Sequence, residues 1–257
     1  MSSRFRGEDL AVVTGGTKGI GRAVVEQLVS EGVPTVAIYK SDEDRANECR
    51  SALGDVEPET RVYQVDVSDY SEAVAGFKTI VEEVGRPSIL VNNAGIMRNH
   101  FLRRLDPEQW DEVIQTNLSG TFHCTRAASR HMLRKSRGSI VNVSSVAAQR
   151  GYVAQANYAA SKSGVIGFTR AAARELGNDS LRVNAISPGY TDTPLYRNSL
   201  SSRTKIAGDE QEDFRDDIPL DRIADPAEIA NAIIFLASDE ASYVNGTVLR
   251  VDGGLLA

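Results

Sequence analysis

Tyr158 and Lys162 stand four residues apart in Tyr158-Ala159-Ala160-Ser161-Lys162, and Ser145 lies thirteen positions upstream. A spacing of four places two side chains on one face of a helix, about 5–6 Å apart at Cβ. An ammonium held that close favours the phenolate, so Lys162 is expected to lower the Tyr158 pKa from its ordinary value of about 10. A phenol tuned in this way is a usable proton donor to a carbonyl oxygen whose carbon is receiving hydride. Alone, the pair also fits an exposed helix that carries an unrelated Tyr and Lys.

A second motif weighs against that plain reading. Thr14-Gly15-Gly16-Thr17-Lys18-Gly19-Ile20-Gly21 falls between a short apolar run and a helical pattern. Glycines there let the backbone turn tightly and approach a pyrophosphate, whose charge the following helix N-terminus stabilises. The spacing is Gly-x-x-x-Gly-x-Gly and not the commoner Gly-x-Gly-x-x-Gly, so the loop alone is also compatible with a simple turn. Together, a phosphate-cradling loop and a tunable phenol point to an enzyme.

A carboxylate at the end of the second strand would hydrogen-bond both hydroxyls of an adenosine ribose and select NAD. Val36-Ala37-Ile38-Tyr39 is instead followed by Lys40 and Ser41, and Lys18 lies in the glycine loop. Two ammonium groups and a hydroxyl suit a 2′-phosphate, which predicts NADP(H) over NAD(H). Solvated surface lysines are the alternative, and the nearby Asp42 and Asp44 would blunt the preference.

The elements that must position these residues alternate. Strands are expected at Leu10–Thr14, Thr35–Tyr39, Arg61–Val65, Ile89–Val91, Ser139–Val143, Leu181–Ile186 and Thr247–Val251. Helices are expected at Gly21–Glu31, Asp44–Leu53, Ser71–Val84 and Ile229–Ala237, and around Tyr158. Asp106-Pro107-Glu108-Gln109 reads as an N-cap with proline at the first helical position. That helix is expected to run to about Asn117, with another from Thr121 to about Lys135. Asp225-Pro226-Ala227-Glu228 repeats the capping logic. Such alternation implies a parallel sheet with helices on both faces and ligands along one edge. No composition break marks a linker, so residues 1–257 read as one dinucleotide-binding and catalytic domain. Residues 190–219 are poor in periodic apolar positions and are expected to form a substrate lid.

The 257 residues carry a net charge of −6 with a pI near 5.2, which argues against a general nucleic-acid binder. A hydrophobic share of 41% with 25% charged residues is ordinary for a soluble globular chain. No apolar run approaches the roughly 18 residues needed to span a bilayer. Met1-Ser2-Ser3-Arg4-Phe5-Arg6-Gly7 lacks the apolar stretch of a secretory signal. Cys49 and Cys124 fit reduced thiols, and a cytoplasmic location is expected. His100, His123 and His131 show no metal-ligand spacing, so no metal site is expected.

With these motifs together, the chain resembles the short-chain dehydrogenase/reductase family over nearly its whole length. The matching residues are Thr14–Gly21, Asn92-Asn93-Ala94-Gly95, Asn117, Ser145, the Tyr158–Lys162 motif and Ser187-Pro188-Gly189. The resemblance implies a single-domain, Rossmann-like doubly wound α/β fold of about seven parallel strands, and a homotetramer. It makes Tyr158 the general acid in reduction and the general base in oxidation. Ser145 would hydrogen-bond the substrate oxygen, with Ser144 as the rival. Lys162 would bind the nicotinamide ribose, and Asn117 would hold a water that resupplies protons. Gly15, Thr17, Lys18, Gly19, Ile20 and Gly21 would hold phosphate. Asp66 would reach the adenine beside the backbone of Val67, and Asn93, Ala94 and Gly95 would line the ribose region. Pro188, Gly189, Thr191 and Thr193 would face the nicotinamide.

Within the family the chain is similar to the 3-oxoacyl carrier-protein and acetoacetyl-CoA reductases, through Asn92–Arg98, Gln155-Ala156-Asn157-Tyr158 and Leu236-Ala237-Ser238-Asp239-Glu240-Ala241. This implies NADPH-dependent reduction of a 3-oxoacyl thioester, linked to CoA or to an acyl carrier protein. The alternatives are a sugar, polyol, steroid or other small ketone, or a non-catalytic dinucleotide sensor. An acidic carrier protein would dock on basic residues. Arg126, Arg130 and Arg134 recur at helical spacing before Lys135 and Arg137, although a solvated helix face explains them as well. Asp179 stands where the carrier-protein reductases place an arginine. The lid mixes Arg197, Arg203 and Lys205 with Asp209, Glu210, Glu212 and Asp213, so its charge does not decide the partner.

Overall fold

Every residue of the first strand, β1 (Ala11–Thr14), is buried, as are all of β2 (Thr35–Tyr39) and β4 (Ile89–Asn92). Such runs, apolar on both faces, belong to strands covered by helices above and below. A computed structural model of the protein describes residues 4–54, 60–135, 137–207 and 217–257. With β3 (Thr60–Gln64), β5 (Gly138–Val143), β6 (Leu181–Pro188) and β7 (Val248–Val251), these strands form one seven-stranded sheet. All pairings are parallel, in the order β3-β2-β1-β4-β5-β6-β7. The expected doubly wound α/β sheet is therefore present.

Alternation along β1 divides the core. Ala11 and Val13 face the layer of α1 (Gly19–Ser30) and α9 (Pro226–Ala237), through Val24, Leu28, Ile229 and Ile233. Val12 faces the opposite layer of α3 (Tyr70–Glu83), α5 (Gly120–Met132) and α7 (Ala156–Gly177), through Phe77, Ile80, Ala128 and Ala172. The remaining helices are α2 (Glu43–Leu53), α4 (Pro107–Ile114), α6 (Ala147–Arg150) and α8 (Pro194–Ala207). The strand order reverses between β1 and β4, which makes a crevice at their C-terminal ends. Thr14, Asn92, Val143 and Pro188 end their strands on that edge and lead into the glycine loop, Asn93, Ser144-Ser145 and Gly189.

Helix starts follow their caps. Asp225 accepts from the Ala227 amide at 2.8 Å, and Glu228 accepts from the Asp225 amide at 2.9 Å, which completes the expected capping box of α9. Asp106 does precede Pro107 at the first position of α4, but its carboxylate makes no capping hydrogen bond. The chain does not break at Asn117. α4 runs through a π turn, Gln115–Ser119, directly into α5, and the expected end at Lys135 is a 3-10 turn, Leu133–Lys135. Residues 194–207 of the expected irregular lid are helical, because Thr193 Oγ1 accepts from the Tyr196 amide at 3.2 Å and Pro194 opens α8. Asp209, Glu210, Glu212 and Asp213 lie outside the described residues, as do the side chains of Arg203 and Lys205.

Candidate active site

The turn from β1 to α1 is shaped by close packing. Gly19 has φ +54°, in the left-handed region that favours glycine, and a Cβ there would sit 3.2 Å from Thr193 Cγ2. A Cβ at Gly21 would collide with the Gly15 carbonyl oxygen and Asn93 Nδ2. Asn93 braces the loop, donating to the carbonyl oxygens of Thr14 at 3.0 Å and Gly15 at 3.1 Å. Thr14 Oγ1 accepts in turn from the amides of Asn93 and Ala94, each at 3.0 Å. The result is a bare backbone cradle at a helix N-terminus, suited to the pyrophosphate of a dinucleotide.

Beyond the cradle, a cleft runs between the ends of β4, β5 and β6. Ile20, Asn93, Gly95, Ser145, Tyr158, Lys162, Pro188, Gly189, Thr191 and Thr193 all line it. Residues separated by some 170 positions in sequence thus share one site. Thr17, Lys18 and Gly19 line a neighbouring depression with Arg22 and Arg45, while Lys40, Ser41 and Asp66 line another.

Tyr158 is buried in the first turn of α7 and lines the cleft with Ser145, whose hydroxyl oxygen accepts from the Ala147 amide at 3.1 Å. Ser144 is turned away, its hydroxyl donating to the Lys162 carbonyl oxygen at 2.9 Å. Lys162 Nζ donates to the Val143 carbonyl oxygen at 2.7 Å and lies 5.7 Å from the Tyr158 ring centroid. Asn117 is fully buried in the π turn. Its Oδ1 accepts from the Ile96 amide at 2.8 Å, and its Nδ2 donates to the Ile96 carbonyl at 3.0 Å and to Ser161 Oγ at 3.1 Å. A Cβ on Gly95 would lie 3.3 Å from Asn117 Oδ1 and 3.5 Å from Lys162 Nζ, so these two groups converge on one bare patch of backbone.

The expected depression of the Tyr158 pKa is reversed in the protein's own environment. Burial pushes the phenol up to about 12, against a lowering hydrogen bond from Ser145. Burial likewise pushes Lys162 down to about 8. Both charged forms are deprived of water, and the ammonium spends its short hydrogen bond on a backbone carbonyl.

Neither lysine expected at the 2′-phosphate is without a partner. Lys18 pairs with Asp42 at 3.0 Å, and this bond holds the Asp42 carboxyl below its ordinary range. Lys40 pairs with Asp66 at 2.7 Å; burial raises the Asp66 pKa, but the bonds from Lys40 and Ser68 outweigh it. The Val67 carbonyl oxygen contacts His123 Nδ1 at 3.0 Å. Arg22 and Arg45, which also border this region, carry no local sequence signal. Also missed as site residues were the cleft walls Met97, Tyr152 and Gln155, and the buried Asn142, whose Oδ1 accepts from Asn92 Nδ2 at 2.7 Å, while Tyr190, Tyr196 and Ser199 of the cleft wall fall within the segment expected to form a lid. The basic residues at and after the end of α5 divide: Arg130 and Arg134 are exposed, whereas Lys135 donates to the Glu8 carbonyl and Arg137 pairs with Asp9 at 2.7 Å.

A doubly wound parallel sheet, a glycine cradle at the first helix and a Ser–Tyr–Lys cluster beside the switch point define a nicotinamide-dinucleotide-dependent oxidoreductase. Comparison with known proteins agrees. A family model described as enoyl-(acyl carrier protein) reductase matches residues 15–256. The chain is 39% identical over 246 residues to the 3-oxoacyl-[acyl-carrier-protein] reductase FabG of Staphylococcus aureus, covering 95% of this chain and 97% of that one. It is 40% identical over 250 residues to the protein of that name from Thermotoga maritima, covering 96% and 97%. To the one from Vibrio harveyi it is 39% identical over 247 residues, covering 96% of each. The chain belongs to the short-chain dehydrogenase/reductase family. Among the described residues no helix is long and apolar enough to cross a membrane.

Proposed function

We propose that this chain reduces a 3-oxoacyl thioester to the 3-hydroxyacyl form with NADPH. The observation that carries the reading is the convergence of Ser145, Tyr158 and Lys162 on a cleft that Ile20 of the glycine loop also lines, with Asn117 and Lys162 meeting at Gly95. The dinucleotide, when bound, supplies the hydride. Tyr158 gives its phenolic proton to the ketone oxygen, and Ser145 donates a hydrogen bond to that oxygen as charge develops there. Lys162 holds the nicotinamide ribose, and Asn117 keeps a water beside it for proton resupply. Gly15, Thr17, Gly19, Ile20 and Gly21 hold the pyrophosphate, and Asp66 with the Val67 backbone holds the adenine. Asn93, Ala94 and Gly95 border the ribose region, and Pro188, Gly189, Thr191 and Thr193 the nicotinamide.

Preference for NADPH is supported by Lys18, Lys40 and Ser41, by Arg22 and Arg45 nearby, and by the lack of a carboxylate directly after β2. The thioester is supported by the activity for which the three relatives are named. The family model's description names an enoyl reductase instead; two hydroxyl groups, of Ser145 and Tyr158, lining one cleft suit a ketone oxygen better. An acyl carrier protein would meet the exposed Arg126 and Arg130 of α5 and Arg134 of the 3-10 turn that follows it. A lid over 190–219, a homotetramer and a cytoplasmic location complete the proposal. The test is oxidation of NADPH by acetoacetyl-CoA at neutral pH, with NADH as the paired control. Rapid, NADPH-selective turnover is expected. No turnover with either cofactor would sink the thioester reading and move the search to sugar, polyol, steroid and other small ketones.

A further inference from the structure

We propose that three tyrosines on the substrate side of the cleft limit the acyl group, so that the enzyme takes 3-oxoacyl thioesters whose group beyond the ketone is short or planar and rejects long unbranched chains. This inference rests on the 3-oxoacyl reading above. Tyr152, Tyr190 and Tyr196 line the cleft that holds Ser145 and Tyr158. Their rings form a continuous run, with centroids 6.0 Å apart for Tyr152–Tyr190 and 5.5 Å for Tyr190–Tyr196, at interplanar angles of 50° and 46°.

The run is braced from behind. The buried Val146, Ile218 and Leu255 pack with Ile223 and Leu256 against Tyr152 and Tyr190. Tyr152 and Tyr190 are half-buried, and swinging either ring off this support would give up its packing contacts. Arg150 also holds the outer ring, its guanidinium carbon 5.4 Å from the Tyr152 ring centroid while the same group bonds Asp217 at 2.9 Å. Tyr196 is fixed through its own helix. Ser199, three residues further along α8, accepts from Asn99 Nδ2 at 2.8 Å and from Gln155 Nε2 at 3.4 Å, and all three side chains are buried. A planar group gains tilted and edge-on contacts against rings so arranged. Among the described residues, a long alkyl chain leaving the ketone on this side has to pass these braced rings.

The test measures kcat/KM for the acetoacetyl, 3-oxohexanoyl, 3-oxooctanoyl, 3-oxododecanoyl and 3-oxo-3-phenylpropanoyl thioesters of N-acetylcysteamine. Wild type is compared with Tyr196→Ala and with Tyr152→Leu, which keeps an apolar filler; cofactor binding by fluorescence verifies that each variant is folded. The wild type is expected to lose about tenfold or more between 3-oxohexanoyl and 3-oxododecanoyl, mainly in KM, while the phenyl substrate stays near acetoacetyl. Each variant is expected to shrink that loss. A wild-type profile that is flat or rises with chain length overturns the inference, as does an unchanged profile in both folded variants. Failure of every thioester, with turnover of another ketone class, overturns the underlying reading and this inference with it, and is a separate result from a flat profile.

Discussion

Lys162 Nζ donates to the carbonyl oxygen of Val143 at 2.7 Å and lies 5.7 Å from the Tyr158 ring centroid. Burial therefore governs both groups, pushing the lysine from 10.5 down to about 8 and the tyrosine from 10.0 up to about 12. The folded protein binds fewer protons at Lys162 than the unfolded chain does between those two lysine values. Stability from this group thus rises with pH across that window, and the burden of the buried cation is fully present below it. Tyr158 acts with the opposite slope at higher pH: its contribution is complete below pH 10 and is lost as pH rises toward its folded value.

Lys162→Met should therefore melt with a pH-dependent difference from wild type. Removing the buried cation relieves about 3 kcal/mol below pH 8, while the Val143 carbonyl left without its donor costs about 1–3 kcal/mol at every pH. Thermal melts at a series of pH values from neutral to strongly alkaline should show the variant at its greatest relative advantage below pH 8. That advantage should shrink through the titration of Lys162. A difference that does not change with pH would mean that the lysine is not held in the buried charged state described.

Tyr158→Phe removes the proton donor and leaves the ring in its pocket. Turnover is expected to fall by about 10²–10⁴-fold, with cofactor affinity measured by nicotinamide fluorescence staying close to wild type. Retained turnover would assign the acid to another group.

The ion pair between Lys18 and Asp42 restrains the cation proposed to meet a 2′-phosphate. Asp42→Ala should free Lys18 and improve kcat/KM with NADPH over NADH, by up to about fivefold because exposed pairs are worth at most about 1 kcal/mol. Lys18→Ala should move the ratio the other way. Parallel shifts for both cofactors in the two variants would place Lys18 away from the discriminating phosphate.

Gly21→Ala tests the cradle. Its added methyl would press on the Gly15 carbonyl oxygen and Asn93 Nδ2, neither of which can retreat, since the first is backbone and the second is bonded twice to it. Overpacking of this kind costs about 1–3 kcal/mol, or a fall in Tm of roughly 2–12 °C for a chain of this size. Calorimetry and cofactor titration should show destabilisation together with weakened binding; an unaffected affinity would argue that the loop does not contact the dinucleotide.

Much of this molecule is legible from short-range pattern. Thr35–Tyr39 is a strand at its expected bounds, and the capping box Asp225–Glu228 opens α9 as its residue types dictate, because propensity, periodicity and caps act over a few neighbouring residues. The Tyr158–Lys162 spacing and the glycine loop are legible for the same reason. Tertiary structure alone decided which atoms those residues meet. It drew Asn117 into a π turn by bonding it to Ile96, 21 residues away, where local pattern indicated a break between helices. It turned Lys162 to Val143 and reversed the expected shift of Tyr158, since desolvation depends on everything packed around a group and not on its neighbour four positions on. It also joined Asn99 to Ser199 across 100 residues and set three distant tyrosines ring to ring. Residue types and spacing determined the chemistry available to this protein; the packing of remote segments determined the protonation, partners and shape with which it is carried out.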